Sequence, residues 1–580
     1  MGSRPLLGAA DRAAPPERWH RCQTANLMAA TPPPADLDVG SFSDDPPWLL
    51  TDPTRIPWRM GLGDVRRAVA AEVPRLTRRR LVPPGRRLVR VVRHLGGALG
   101  GWVVTERREG GRESIAGLSR RLRLAAEALG PTYIKLGQII SSGEGLFPEE
   151  LVAEFRLCRD QVPAVPYDEV RRVVQRELGH RLEAVFSEFD PTPLAAASIA
   201  QVHAATLTTG EKVVVKVQRP NVGTLVRNDL RVMSWIAPVL VGRIPIAALA
   251  NPPALVELFA ETITEELDFR LEAENMLDVA RSFQELGQRG YVIPRPHPQF
   301  VTPRVLVMER LDGFAFHDVD AIKAAGVDTH AVIRTGMIGF LEGCMMKGIF
   351  HGDLHAGNLF VMPDGRTALF DFGITGRLDQ KRRLAFLRLV MGATTNDLLG
   401  QLAAFRDLGA LPPDTDLAAV VDDLGLDQAA VDITDLTPEE LTGEIQRVIK
   451  ALLGIGARLP KDLMLFVKNM VFLDGAIATL APDLDLFAEL ADITTYFAVH
   501  HGEQIAADVG VAVDAWEMDL TGIKASYGVD PTVTDSLTYD ELQSRRELIR
   551  TRMERHDTSA IRRTALGRDR ATRRRRRKSG

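Results

Sequence analysis

The stretch HGDLHAGNLFVMPDGRTALFDFG, residues 351–373, decides the fold of this chain. Asp353 and Asn358 lie five residues apart in it, and Asp371 follows after two short β-type segments joined by a Pro-Asp-Gly turn. A unit of two short strands joined by a turn brings the two ends of the stretch together. Phosphoryl transfer needs an acid near the acceptor hydroxyl and oxygen ligands for magnesium at the phosphates. The stretch therefore predicts a kinase-type Mg-ATP site, with Asp353 at the acceptor and Asn358 and Asp371 as Mg²⁺ ligands.

Two other interpretations of this stretch stay open. The alternation of His351, Asp353 and His355 would also suit ligands on one face of a strand, which could hold zinc or another transition metal. A purely structural turn would explain Asp353 or Asn358 singly as a capping residue. It would leave the joint pattern of the stretch unexplained.

A second part of the predicted site lies about 140 residues earlier, in the apolar segment 213–217 that contains Lys216. A lysine there could neutralise the α- and β-phosphates of a nucleotide. Burying a lysine is unfavourable unless it is paired, so an acidic partner is expected. The alternative is an edge-strand lysine that only prevents aggregation. Upstream, an alanine-rich stretch replaces a glycine-rich phosphate loop at residues 193–201, and it should hold nucleotide more rigidly or differently.

Composition limits the possible classes of protein. A chain of 580 residues is too long for one core, and 45% hydrophobic with 26% charged residues indicates a globular protein. The net charge of −4 gives no reason to expect a nucleic-acid partner, and three scattered cysteines argue against a disulfide framework. Neither a signal peptide nor a transmembrane segment is expected, the nearest candidate being residues 235–250. A cytoplasmic location, with at most peripheral contact at the inner face of a membrane, is predicted.

The order of patterns along the chain predicts an α+β, protein-kinase-like two-lobe fold with a helical N-terminal extension. Two β-rich runs around residues 201–207 and 212–218 flank a Thr-Thr-Gly-Glu turn and predict a hairpin. The predicted divisions are a disordered arm (1–60), a basic helical extension (61–185), a kinase-like N-lobe (186–312), a helical C-lobe (313–500) and a charged tail (501–580).

The extension has an unusual charge pattern, with ten arginines between Arg66 and Arg93 against the single acid Glu72. Residues 86–104 place apolar side chains near helical spacing, with arginines elsewhere on the wheel. This pattern suits a helix on an anionic membrane surface. The alternative is a helix that packs on its own protein. The arginine run at 573–577 could likewise bind anionic lipid, although a solvated tail would carry the same sequence.

From about Gly130 to Val390 the chain resembles the UbiB/AarF family of atypical kinases. The Lys-x-Gly-Gln signature of that family is similar to residues 135–138, and its alanine-rich loop is similar to residues 195–201. Its nucleotide lysine corresponds to Lys216. Its Glu-x-Asp motif and the helical glutamate that follows correspond to residues 266–268 and Glu272.

The resemblance implies roles for these residues. Glu272 would pair with Lys216, and Lys135 would reach into the site toward Glu266. Gln138 and Asp268 would share a regulatory role with those two residues. The implied nucleotide contacts are Ala195, Ala196, Ala197, Ser198, Ile199, Ala200, Lys216, Met308 and Glu309.

The resemblance also implies that the extension covers the cleft where protein kinases bind peptides, and that the protein is linked to isoprenoid lipids or quinone precursors at a membrane. Several positions depart from the family pattern. Ala200 replaces a glycine, residues 142–145 replace a Thr-Arg-Pro-Asp type segment, and the catalytic loop lacks two prolines at 354 and 356. Hydrophobic helices like those at the end of many relatives are not expected. Regulation by activation-loop phosphorylation is not expected either, because Gly352 replaces an arginine and no Ala-Pro-Glu motif follows.

The main hypothesis is an ATP-dependent kinase or ATPase, with ATP or ADP and Mg²⁺ as cofactors, that acts on a membrane-bound lipid or quinone precursor. One alternative is a small-molecule kinase of the aminoglycoside or choline kinase type, which uses a similar His-Gly-Asp-x-His-x-Gly-Asn loop. The other is a nucleotide-gated lipid-binding scaffold with little turnover.

Overall fold

The computed structural model has the predicted α+β architecture, with helices first, then a lobe built on a sheet, then a mostly helical lobe. It describes residues 42–50, 56–78, 85–108, 111–141, 147–158, 163–240, 252–394, 397–424, 460–510 and 537–544.

The helices of the extension follow one another closely. Gly130, with φ of 100°, adopts a backbone conformation that favours glycine, and it lets the chain turn directly into a helix that begins at Pro131. Proline suits that first position because its missing N–H would have no partner there. After a short 3₁₀ turn at Pro57–Arg59, the helices are α1 (Leu62–Thr77), α2 (Gly85–Thr105), α3 (Gly111–Leu129), α4 (Pro131–Ser141), α5 (Glu149–Arg156), α6 (Tyr167–Leu178) and α7 (Leu182–Val185).

The N-lobe contains an antiparallel sheet of six strands in the order β1-β3-β4-β7-β6, with β2 paired to β3. The predicted hairpin is confirmed as β3 and β4. The strands are β1 (Phe186–Phe189), β2 (Ala195–Ala196), β3 (Ala200–Leu207), β4 (Lys212–Gln218), β6 (Pro296–Val301) and β7 (Val305–Glu309), and the helices among them are α8 (Val222–Leu240), α9 (Pro252–Glu265) and α10 (Phe269–Glu285).

The two faces of β4 have different partners, because successive side chains of a strand point to opposite sides. Val213, Val215 and Val217 are buried in a cluster with Val170 and Val174 of α6. Lys216 lies on the other face, towards α10. The alternation therefore places one lysine of an apolar strand on the side of the sheet that faces the predicted site.

The C-lobe surrounds the stretch that opened the sequence analysis. Its small sheet has the order β5-β11-β10-β8, and β9 pairs with β12. Its elements are β5 (Tyr291–Val292), β8 (Phe314–Ala315), α11 (Val319–Ala324), α12 (Thr329–Glu342), a π-helical turn (Gly343–Lys347), β9 (Ile349–His351), a 3₁₀ turn (Ala356–Asn358), β10 (Leu359–Val361), β11 (Thr367–Leu369), β12 (Thr375–Arg377), α13 (Gln380–Thr394), α14 (Leu398–Asp407), α15 (Leu417–Leu424), α16 (Lys461–Leu480) and α17 (Leu486–Val509).

Helix α16 is, among the described residues, the single helix long and apolar enough to span a membrane by length and composition. It packs within the C-lobe: Asn469 is fully buried, accepts from the backbone N–H of Leu354 at 3.0 Å and donates to the carbonyl of His351. Burial in the C-lobe accounts for part of its hydropathy, since 44% of its most apolar window is buried. Of the segment considered from sequence, residues 235–240 end α8, and 241–250 lie outside the described residues.

Part of the segment predicted as a disordered arm packs on the N-lobe. Phe42 and Trp58 are buried, Ser43 Oγ donates to Glu309, and Trp48 Nε1 donates to the carbonyl of Pro296 at 3.2 Å. Large aromatic side chains provide much apolar area for burial even without a periodic pattern. Residues 1–41 and 51–55 lie outside the described residues.

The predicted tail also includes packed residues. Residues 501–509 complete α17, and Tyr539 is buried with its hydroxyl donating to the carbonyl of Asp474 at 2.8 Å. The arginine run at 573–577 and residues 142–145 lie outside the described residues.

Helix α2 confirms the predicted helix, and most of its apolar residues contact the protein. Val91 is fully buried, and Leu88, Leu95 and Leu99 pack against the core. This favours the interpretation of a helix that packs on its own protein. The outer side of α2 nevertheless combines exposed apolar and cationic residues, namely Val89, Val92, Val103, Val104, Arg86, Arg90 and Arg93. Membrane contact through this side remains a prediction.

Candidate functional site

A buried ion-pair cluster joins the two lobes. Lys216 Nζ lies 2.7 Å from Glu272 Oε1 and 3.0 Å from Asp371 Oδ1. Glu272 stands in the first turn of α10, whose N-terminus is capped by Asp268 through the N–H of Arg270. The predicted pairing of Lys216 with an acid is therefore present, and the edge-strand alternative does not fit a lysine on a central strand.

The pKa of each acid in this cluster depends on its burial and on the charges of its neighbours. Burial raises the pKa of Glu272 to about 7, although Lys216 acts in the opposite direction. Burial would also raise the pKa of Asp371, but Lys216 and Lys135 outweigh it and lower the pKa to about 2. Asp371 is therefore an ionised carboxylate at neutral pH. Its side chain is 42% exposed, whereas that of Lys216 is 9% exposed, so Asp371 is the acid that a ligand from solvent meets.

Hydrogen bonds close the stretch from His351 to Asp371. Asn358 Nδ2 donates to the carbonyl of Asp353 at 3.0 Å, and the N–H of Phe370 donates to the carbonyl of Asn358 at 2.9 Å. Asp371 has φ of 58°, in the left-handed region, where aspartate and asparagine are more readily accepted than most residues. The turn thus brings Asn358 next to the segment that carries Asp371, as the sequence predicts.

His351 and His355 have structural roles in the described residues. His351 Nε2 lies 3.0 Å from the carbonyl of Phe370, and its Nδ1 accepts from the N–H of Asp353 at 3.1 Å. His355 Nδ1 accepts from the N–H of Gly357 at 3.1 Å. Both ring nitrogens of His351 are engaged, which disfavours the zinc interpretation. Within the described part of the chain, no group of three or more His, Cys, Asp or Glu side chains is arranged to hold a metal.

Asp353 lies between two lysines. Lys468 of α16 forms an ion pair with Asp353 Oδ1, and Lys135 Nζ lies 3.9 Å from Asp353 Oδ2. Burial would raise the pKa of Asp353, but Lys468 and then Lys135 outweigh it and lower the pKa far below its usual range. Asp353 is therefore a stable anion that can accept a hydrogen bond but is a weak proton acceptor.

Sequence reasoning missed Lys468. It lies 115 residues from Asp353 along the chain, within a helix whose composition suggests only burial. The one available signal is that Lys468 is the single lysine between Leu463 and Leu480 of this helix, because a lysine in apolar surroundings needs an acidic partner.

Helix α4 places Lys135 at the site, and Lys135 Nζ lies 3.1 Å from Glu266 Oε1, as the resemblance implies. Gly137 has a packing reason: a Cβ atom there would lie 2.5 Å from the ring of Phe155, so glycine permits close contact of α4 with α5. Gln138 is half-buried on the same helix. Asp268 forms an ion pair with Arg270 at 2.7 Å as well as capping α10, so its contacts here are structural.

The alanine-rich loop is a closed turn beside β3. The N–H of Ala197 donates to the carbonyl of Ala200 at 2.9 Å, and Arg219 holds the loop through the carbonyls of Ala197 and Ile199. Ala195 and Ala196 form β2, which is paired with β3, while Ser198, Ile199 and Ala200 are buried. The expectation that this loop holds nucleotide more rigidly or differently than a glycine-rich loop stays a prediction.

Met308 and Glu309 lie at the end of β7 and are engaged within the protein. Met308 pairs with Val214 in the sheet. The N–H of Glu309 donates to the carbonyl of Arg295 at 2.9 Å, and its carboxylate accepts from Ser43 and from the N–H of Arg295. The nucleotide role of these two residues stays a prediction.

The chain is similar in sequence to known atypical kinase-like proteins. Residues 157–402 match the ABC1 atypical kinase-like domain. An uncharacterized protein of Mycobacterium tuberculosis is 35% identical over 375 residues, which is 64% of this chain and 76% of that protein. An uncharacterized aarF domain-containing protein kinase of Arabidopsis thaliana is 32% identical over 63% of this chain and 73% of its own length. A probable protein kinase UbiB of Aeromonas hydrophila is 32% identical over 64% of this chain and 69% of its own length.

Proposed function

This chain belongs to the UbiB/AarF family of ABC1 atypical kinase-like proteins, and from that premise we propose that it is an ATP-dependent kinase or ATPase that acts on an isoprenoid lipid or quinone precursor at a membrane surface. The observation that carries the proposal is the buried cluster of Lys216, Glu272 and Asp371. A single cation held by two carboxylates, one of them open to solvent, is an arrangement suited to nucleotide phosphates and their metal ion.

The residues present fit Mg²⁺. Asp371 offers an ionised carboxylate, and Asn358, whose Nδ2 is occupied by Asp353, offers its amide oxygen. Magnesium prefers oxygen donors and commonly takes one or two from the protein, with phosphate oxygens and water completing its shell. Bound there, Mg²⁺ would neutralise charge on the phosphates. Lys216 would neutralise the α- and β-phosphates, and Glu272 would hold Lys216 in place.

The electrostatics of Asp353 define its proposed role at the acceptor. An anion with a lowered pKa accepts a hydrogen bond from the acceptor hydroxyl and orients it, and it contributes little as a base. Lys468 and Lys135 beside it would stabilise negative charge on the transferring phosphoryl group. Because Lys135 of the extension stands next to Asp353, a narrow acceptor suits the site better than a folded peptide segment does.

The membrane part of the proposal is supported by the outer side of α2. Exposed valines beside exposed arginines provide apolar insertion and attraction to anionic headgroups at one surface. The nucleotide-gated scaffold with little turnover remains a second candidate. Two lysines balance the charge of the Asp353 carboxylate, which makes this group a weak acceptor of a proton. Membership of the UbiB/AarF family disfavours the aminoglycoside or choline kinase alternative.

The test of this function is ADP release by the full chain with Mg-ATP, with and without anionic liposomes that contain an isoprenoid phenol. Asp353→Asn is expected to lower turnover by about 100-fold or more, since orientation of the acceptor contributes at least that much. Nucleotide affinity should change little, because Asp353 is not proposed to touch the nucleotide or its metal ion. Unchanged turnover in Asp353→Asn would show that Asp353 does not orient the acceptor and would favour the scaffold.

Lys468 provides a second, independent test of the acceptor site. Lys468→Met removes one of two cations from Asp353, so the pKa of Asp353 should rise towards its ordinary value. Because Asp353 acts as an anion, the acidic limit of the pH–rate profile should move to higher pH. Lys461→Met is the matched control, since Lys461 lies on the same helix but pairs with Glu265 at 2.8 Å. An acidic limit that is the same in both variants would contradict the proposed influence of Lys468.

A further inference from the structure

Helix α10 carries a second buried polar residue one turn after Glu272. Asn275 is 5% exposed, and residues three positions apart lie on the same side of a helix. Its Nδ2 donates to the carbonyl oxygen of Phe372 at 2.8 Å. Phe372 directly follows Asp371, the proposed metal ligand. Helix α10 therefore contacts the segment of Asp371 at two points one turn apart, the ion-pair cluster and Asn275.

The oxygen of the same amide binds two arginines. Asn275 Oδ1 accepts from Arg66 of α1 at 2.9 Å and from Arg377 of β12 at 2.7 Å. An amide nitrogen donates and an amide oxygen accepts, so a carbonyl on one side and two guanidinium groups on the other fix the orientation of this side chain. One buried residue thus joins α1 of the extension, α10 of the N-lobe and the strand that follows Asp371.

Two acids of α10 balance the charge of the arginines around Asn275. Glu274 accepts from Arg66 at 2.9 Å, and Asp278 lies 2.7 Å from Arg377. Arg59, in the 3₁₀ turn before α1, lies 3.8 Å from each of these acids. The five side chains are between 16% and 37% exposed. Charge-assisted hydrogen bonds in such a partly buried network fix geometry better than isolated surface ion pairs do.

The hydrogen bond from Asn275 lies where the backbone needs support. Asp371 has φ of 58°, and residues in this sparsely populated region persist where the surrounding structure holds them. The ring of Phe372 is fully buried and packs edge-on against His351, with 4.9 Å between the ring centroids. The Asn275 bond fixes the carbonyl of the same residue. Ring and main chain of Phe372 are therefore both held, which determines the direction of the Asp371 carboxylate.

We infer that Asn275 is a positioning residue for the metal-binding segment, and that helix α1 of the extension supports it through Arg66. The inference rests on the proposed function in one respect, because it takes Asp371 as a ligand of Mg²⁺. The positioning itself stands on the hydrogen bonds of Asn275 and can be tested without nucleotide or metal ion.

Amide hydrogen exchange of the full chain without ligand tests the positioning. Asn275→Asp keeps an oxygen for the two arginines and removes the donor to Phe372. The added charge has two cationic partners, so the protein should stay folded. Peptides that cover residues 370–377 should exchange about 3- to 10-fold faster, the usual effect of one lost hydrogen bond, while those of the β3–β4 hairpin should not change.

Asn228→Asp is the matched control for this measurement. Asn228 is exposed on α8, and its amide oxygen also accepts from an arginine, Arg231, at 3.2 Å. The control should exchange like wild type at residues 370–377. Wild-type exchange of that segment in Asn275→Asp overturns the inference, and so does equal acceleration there and in the hairpin.

The Mg²⁺ dependence of ATP binding tests what the position serves. Loss of a residue that supports a metal ligand typically lowers metal affinity by about 10- to 100-fold. Asn275→Asp should raise the Mg²⁺ concentration for half-maximal ATP binding by about 10-fold and leave ATP binding without Mg²⁺ nearly unchanged. Asn275→Leu removes the donor without adding a charge, and it should shift the Mg²⁺ dependence in the same direction.

The two measurements separate the possible failures. Faster exchange with a wild-type Mg²⁺ dependence would overturn the link between Asn275 and the metal ligand. If wild type shows no Mg²⁺-dependent binding of ATP, the proposed function fails, and exchange still decides whether Asn275 holds the segment.

Arg66→Met tests the support from the extension. It should raise the required Mg²⁺ concentration by about 3-fold, less than Asn275→Asp, because the amide keeps Phe372 and Arg377 as partners. Arg67→Met is the matched control, since Arg67 is the next residue of α1, is 76% exposed and pairs with Asp64 of its own helix. The same Mg²⁺ dependence in both variants would overturn the contribution of α1.

Discussion

Asp371→Asn is expected to lower the Mg²⁺-dependent affinity for ATP by about 100-fold or more while the protein stays folded. Substitution of a residue that only hydrogen-bonds to a metal ligand already lowers metal affinity by about 10- to 100-fold. Substitution of a direct ligand should have a larger effect. The substitution removes the negative charge and keeps one amide oxygen. Asn is well suited to the position because it tolerates the φ of 58° that the turn requires. Lys216 keeps Glu272 as its partner, so the buried cation is not left alone.

The measurement is ATP binding at a series of Mg²⁺ concentrations, with the melting temperature recorded for each variant. Asp364→Asn is the matched control, since Asp364 lies on the exposed turn of the same stretch and pairs with Arg366. A wild-type dependence on Mg²⁺ in Asp371→Asn would mean that Asp371 does not bind the metal ion. A loss of the same size in Asp364→Asn would point to a general disturbance of the turn.

Lys216→Met is expected to have the largest combined effect on nucleotide binding and stability. The nucleotide loses its buried cation, and Glu272, whose side chain is 4% exposed, loses its partner. Breaking a buried ion pair by removing one member typically costs about 3–5 kcal/mol of unfolding free energy. Lys212→Met, at the exposed start of the same strand, should change neither property appreciably.

The stability loss in Lys216→Met should depend on pH in a defined direction. The pKa of Glu272 is already raised to about 7 in the folded protein, against an ordinary value of 4.5, and removal of Lys216 raises it further. A raised folded-state pKa contributes stability at low pH, and this contribution is lost as pH rises through the folded value. The variant should therefore be closest to wild type near pH 5 and least stable near pH 9, as measured by urea unfolding.

A double variant separates the two effects. Lys216→Met with Glu272→Leu replaces the ion pair by apolar side chains of similar size, which is often neutral or stabilising. We expect most of the lost unfolding free energy to return and the pH dependence to disappear, while ATP affinity stays low. Recovery of ATP affinity in the double variant would contradict the role of Lys216 at the phosphates.

Much of the site could be predicted from local pattern. Residues 212–218 form a short apolar run with one internal lysine, which predicts a strand and an acidic partner for Lys216. The functional residues Asp353, Asn358 and Asp371 likewise lie within about twenty residues of one another. A local turn is therefore enough to bring their segments together. The resemblance supplied Glu272 and Lys135, whose contacts with Lys216 and Glu266 are present.

Other features depended on contacts between distant parts of the chain. Phe42 and Trp58 stand in a segment without periodicity, yet they are buried against the N-lobe. The apolar side of α2 suggested a membrane surface, but Val91 and its neighbours pack on other helices. In both cases the local sequence indicates that apolar area is available and does not indicate which surface covers it.

The sequence by itself determined the α+β class, the hairpin that carries Lys216, and the turn that brings Asn358 to the segment of Asp371. These follow from apolar β-rich runs, turn chemistry and spacing, which act within a few residues. Only the tertiary structure decided that Lys468 pairs with Asp353, and that six helices line an apolar pocket on the far side of α4 from Lys135. The physical reason is that side-chain packing and ion pairing act over a few ångströms in space, whatever the separation along the chain.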